Sequence, residues 1–155
     1  MKKLIVALSL AALPSLAHAA TPTTTVDNGT ADKAVHAALN AGTLIPCIGD
    51  TSSCTGREMS YRIFYGPDQK TAVVWAFGYP SEGTVHMGLF AEFKDENGWK
   101  LAKVFKKPIV DSPAPEEKDI IFLSPNRVQV TYHYKKDTDA NCCSTGIGKA
   151  ILALQ

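Results

Sequence analysis

The sequence holds no His-Glu-x-x-His, no Gly-x-Ser-x-Gly, no phosphate-binding glycine loop and no calcium loop of the usual form. The common local signatures of a zinc hydrolase, a serine hydrolase, a nucleotide binder and an EF-hand are therefore absent. Cysteine is scarce, with four residues and no Cys-x-x-Cys among them, which removes the usual thioredoxin-like redox motif. Basic residues form no block, and the formal net charge is +1, so nothing points to nucleic acid or to an anionic membrane surface. Long apolar runs are missing too. Leu4 to Leu13 is a run of about ten residues, too short to span a bilayer.

That short run has a meaning of its own. Lys2 and Lys3 precede it and Ala17-His18-Ala19 follows it, the layout of a cleaved secretory signal peptide over residues 1–19. Cleavage near Ala19 implies a periplasmic or secreted protein, and Ala20 in place of a cysteine argues against a lipid anchor. Taking 19 residues from 155 leaves 136 and removes two lysines, so 14 Lys+Arg face 15 Asp+Glu. This is a single-domain length with enough chain to bury a core. Residues 20–30, rich in threonine, read as a flexible leader, and 31–155 as one globular domain.

A helix is expected from about Ala31, capped by Thr30 or Asn28, with Val35, Ala38 and Leu39 on its apolar face and Gly42 as its stop. His36 falls on a different stripe. Leu44 to Arg57 is a loop of turn formers. Alternation then predicts strands over Glu58–Tyr65, Thr71–Phe77, Thr84–Lys94 and Trp99–Phe105. Both faces of Thr71–Phe77 are apolar, which marks it as central and covered on two sides. Asn97-Gly98 is the clearest hairpin signal, because both residues tolerate positive φ. Lys103 interrupts the face shared by Trp99, Leu101 and Phe105. Pro108, Pro113 and Pro115 mark a surface crossover. Ile120–Leu123, Val128–Lys135 and Ile147–Leu154 complete the set.

The fold class implied is α+β: one N-terminal helix packed on a curved antiparallel sheet of roughly seven strands, stapled by disulfides, with enough strands for a partly closed barrel. One helix on such a sheet resembles the cystatin-like and nuclear-transport-factor-like architectures. The multi-helix opening of the latter is not found here, and the likeness implies no activity.

The cysteines are Cys47, Cys54, Cys142 and Cys143. An even number in an exported chain reads as disulfides. Pairing Cys47 with Cys54 leaves Cys142 bonded to its neighbour Cys143, which departs from the usual Cα separation across a bridge. The favoured pattern joins Cys47 and Cys54 each to one of Cys142 and Cys143. Each such bridge closes a loop of about 90 residues, for which chain entropy alone gives about 4–5 kcal/mol, the second adding much less than the first. The spacing of Cys47 and Cys54 does not suit a zinc knuckle. Asp137, Asp139 and Asn141 alternate like oxygen ligands, but the glycine of a calcium loop is missing.

No metal, cofactor or catalytic residue is assigned. His86 and His133 lie at strand positions that alternate with core residues, which places them on an outer or less buried face. The thirteen aromatic rings lie mostly at strand positions. Phe64 and Phe90 fall out of phase with their neighbours and could line a second apolar surface or a ligand cleft. The function read from this is a non-enzymatic exported binding or interaction protein, its partner an unidentified protein or small apolar ligand. One alternative is a structural or stress-related envelope protein. The other is a small hydrolase or isomerase using a sheet-face pocket with His86 or His133.

Overall fold

The computed structural model describes residues 23–25, 29–44, 59–78, 87–106, 109–110, 113–140 and 144–155. Nine strands and one α-helix are described: β1 (Thr23–Thr25), α1 (Asp32–Asn40), β2 (Met59–Tyr65), β3 (Thr71–Gly78), β4 (Met87–Asp95), β5 (Trp99–Val104), β6 (Ile109–Val110), β7 (Ile120–Ser124), β8 (Arg127–Tyr134) and β9 (Gly146–Ala153), with a 3₁₀ turn over Glu117–Asp119 before β7. They form two antiparallel sheets. The larger runs β1-β2-β3-β4-β5, with β6 also paired to β4, and the smaller runs β7-β8-β9. This corrects the expectation of one sheet of about seven strands. Among the described residues no barrel closes. Thr23–Thr25, within the expected leader, pairs with Ile63–Tyr65 as β1.

The larger sheet is the middle of three layers. On one face Ile63, Tyr65, Val74, Leu89 and Phe93 pack against Val35, Ala38 and Leu39 of α1. On the other, Phe64, Val73, Trp75 and Phe90 meet Ile120, Phe122, Val128 and Val130 of the smaller sheet. Strand β3 is covered on both sides, as its sequence implies, and Trp75 is fully buried. Phe64 and Phe90 do line a second apolar surface, which is closed by the smaller sheet. Fully burying side chains of this size contributes about 1.5–3 kcal/mol each, so neither face could be left open without a large loss.

Close approach decides several positions. A Cβ on Gly88 would stand 2.0 Å from the Trp75 ring, so the indole lies flat across a strand that offers no side chain there. The Tyr134 and Tyr132 rings cover Gly146 and Gly148 in the same manner.

Helix α1 carries its expected apolar face, and Gly42 takes φ 67° just beyond its end. The cap differs from expectation. Ala31 is the N-cap and gives no side-chain bond. Thr30 Oγ1 instead accepts from the Trp99 indole at 2.8 Å, and Ala31 N–H donates to the Tyr65 hydroxyl at 3.1 Å. Tyr61 donates to Asp32 of the first turn. The sheet's own aromatic tips thus satisfy groups that a local cap would have served.

Asn97 and Gly98 take φ 72° and 119°, and Gly98 N–H donates to Asp95 Oδ1 at 2.8 Å, confirming the hairpin. Strand β5 corrects a face assignment. The pairing of Phe93 with Leu101 and Glu92 with Lys103 leaves Ala102 as an extra residue. Such a bulge reverses the alternation beyond it. Trp99, Leu101 and Val104 therefore face the helix layer, while Phe105 joins the inter-sheet core.

Candidate functional site

The orientation of the smaller sheet fixes what gathers at each end. The Phe122 ring lies beside Gly66, in the turn between β2 and β3. Arg62, midway along β2, donates to Pro115 O at 3.0 Å, just before β7. The turn at Pro125-Asn126 therefore lies over the Gly66–Lys70 end. The β8–β9 turn points to the opposite end, where β2 begins and β3 finishes. Met59, the first residue of β2, stands at that end. Asp139 and Thr145, described on either side of that turn, bond to each other there. The four cysteines and His86 lie outside the described residues, so no pairing is assigned from the structure.

The flanks of the cysteine pair are held by Asp139. Its Oδ2 accepts from Lys136 N–H at 2.8 Å and from Thr145 N–H at 2.9 Å, and its Oδ1 from the Thr145 hydroxyl at 2.6 Å. These donors, led by the Thr145 hydroxyl, pull the Asp139 carboxyl down to about 2. Its oxygens are engaged by the turn itself. Among the described residues no group of three or more His, Cys, Asp or Glu side chains could hold a metal.

His133 pairs with Ile147 on the outer face of the smaller sheet, while Tyr132 and Tyr134 point inward. It is half-buried, as its alternation implies, and it stands on the far side of β8 from the inter-sheet aromatics. His36 is exposed and meets Tyr61 edge-on, ring centroids 5.3 Å apart. Burial first, then the hydrogen bond to Asp32, pushes the Tyr61 hydroxyl well above its ordinary value. A tyrosine so held keeps its proton and anchors the helix.

Two features were not singled out in the sequence. Glu92 is fully buried at the rim of the inter-sheet layer, and both its oxygens accept from Gln155 N–H at 3.0 Å. Burial raises its pKa, against the lowering effects of Gln155, Lys94 and Lys103. Lys94 lies 4.0 Å away and donates to Gln155 O, and Lys103 donates to Ala153 O at 2.8 Å. A buried carboxylate thus ties the end of β9 to the larger sheet. The sequence marked only Lys103, as a charge interrupting the apolar face of β5, and the structure sets it opposite Glu92.

The second feature is the outer face of the smaller sheet. The large apolar side chains left exposed among the described residues are Leu123, Tyr134, Ile147 and Ile151, all in β7–β9, and of these Tyr134 belongs to the inner face. Ile147, Lys149 and Ile151 of β9 stand beside His133, Thr131 and Gln129 of β8. Strands β7, β8 and β9 themselves carry no carboxylate, and Glu116, at the turn before β7, lies within electrostatic reach of His133. Comparison with known proteins finds no family model, no curated protein and no solved structure that matches the chain.

Proposed function

We propose that this is an exported, disulfide-stapled binding protein that works by contact with a protein or apolar partner. The observation that carries it is the placing of exposed apolar side chains. The larger sheet has a helix on one face and a second sheet on the other, whereas Leu123, Ile147 and Ile151 stay in solvent on one outer sheet. Apolar groups gathered on one face of a folded domain mark interaction surfaces more often than scattered ones do. The signal-like residues 1–19 support export, and the even number of cysteines in an exported chain supports disulfides.

The test is affinity capture with the oxidised chain from residue 20 onward, using extract of the compartment it is exported to and native mass spectrometry of the eluate. Wild type retains a specific partner. Replacing Ile147 and Ile151 together with serine releases it while the thermal transition stays within a few degrees, since both side chains are exposed. Retention by the double variant equal to wild type would count against this surface.

A further inference from the structure

Strand β9 closes the order β7-β8-β9, and among the described residues no strand lies on its other edge. The direction of its backbone groups can be read at its end. Leu154 N–H turns back to Asn126 O at 2.8 Å, while Ala153 O faces away from β8 and receives Lys103 Nζ. Backbone direction repeats every two residues along a strand. Ile151, Lys149 and Ile147 therefore present their N–H and C=O groups sideways, along the open edge. The same three side chains stand on the outer face, Ile147 at 63% and Ile151 at 52% exposure. Lys103 and Lys94 guard the end of β9, which leaves Lys149 as the one charge on the stretch before it.

We infer that β9 takes an extended protein segment as an added strand, one that sets a carboxylate opposite Lys149 and apolar side chains opposite Ile147 and Ile151. This rests on the binding-protein reading above. A second copy of the chain fits less well. The two-fold pairing that matches Ile147 with Ile151 puts Lys149 opposite Lys149, and like charges directly opposed destabilise a strand pair. An anionic lipid surface could answer Lys149 and the isoleucines. It offers no N–H donors to the carbonyls of the open edge, which an added strand supplies. Glu116 answers His133 on β8, whereas Lys149, the one charge of β9, has no acidic residue in its own strand or in β8, which favours an acidic partner on the same ground.

The probe is a fluorescein-labelled peptide of about seven residues, with threonine at alternate positions and valine, glutamate, valine between them. Fluorescence anisotropy with the oxidised chain should show binding. Binding should weaken about five-fold or more when lysine replaces the glutamate, from the cross-strand charge pair. Lys149→Glu, an exposed change that leaves the core intact, should invert that preference. Hydrogen exchange should slow at the amides of Ile147, Lys149 and Ile151 when the glutamate peptide binds. A preference unmoved by Lys149→Glu, or no slowing at those amides, overturns the inference. Slowing that rises with protein concentration and needs no peptide assigns the edge to a second copy. Binding to phosphatidylglycerol vesicles with the three amides unchanged assigns the face to lipid. If wild type and Lys149→Glu capture the same partner equally in the affinity experiment, the strand-addition inference falls and the binding reading stands. If wild type captures nothing, both fall.

Discussion

At the scale of single residues, Glu92 has the most to reveal. Its folded pKa lies above the ordinary carboxylate value, with burial as the main cause. As pH rises, the unfolded chain gives up that proton first. Glu92 therefore subtracts stability across the window from the ordinary value up to the raised one, and a constant deficit remains above it. Glu92→Gln removes this slope and keeps an acceptor for Gln155 N–H, so its stability at neutral pH should lie within about 1 kcal/mol of wild type. Glu92→Ala leaves that N–H unanswered and a void beneath it, and should cost about 2–4 kcal/mol. Denaturant titrations at a series of pH values check both. A glutamine variant with the wild-type pH slope would show that Glu92 is not the group responsible. The sequence showed Glu92 only as a polar position beside Phe90 and Lys94. Its burial depends on β9 arriving from another sheet, which no local pattern encodes.

At the scale of elements, alternation was legible wherever a strand keeps strict register. The two faces of β3, the hairpin at Asn97-Gly98 and the apolar stripe of α1 all follow from local spacing. It failed at β5, where Ala102 slips the phase and sends Phe105 to the other layer. It also failed at the helix start, where Trp99 reaches Thr30 from far along the chain. The turn between β8 and β9 is an element with a measurable acid response. Asp139 has a folded pKa of about 2 against an ordinary 3.8, so the stability it lends is present above the ordinary value. That stability is lost as pH falls toward 2. Asp139→Asn should therefore flatten the loss of stability between those two values, and wild type should show the steeper fall. Equal acid slopes for the two proteins would remove Asp139 from the account of this turn.

At the scale of the whole molecule, the sequence resolved every strand of the second sheet without revealing that it was a second sheet. Period-two alternation is the same for a strand that joins a sheet and for one that stacks on it. Only the proline-bearing crossover hinted that the chain changes place. The proposed staple belongs to this scale too, since Cys47 and Cys54 are separated from Cys142 and Cys143 by most of the sequence. Non-reducing peptide mapping of the oxidised protein should give no free thiol, with peptides from the 45–58 segment joined to peptides bearing Cys142 and Cys143. Two or more titratable thiols, or a Cys47–Cys54 peptide closed on itself, would defeat that pairing.

The three layers are also not laid down together. During vectorial emergence the helix and the larger sheet appear first, and the partner of Phe64, Trp75 and Phe90 begins only at Ile120. Until about the last quarter of the chain has followed, the larger sheet has no cover for that aromatic flank. Apolar surface of that kind, left uncovered while the chain is being made, is where aggregation starts.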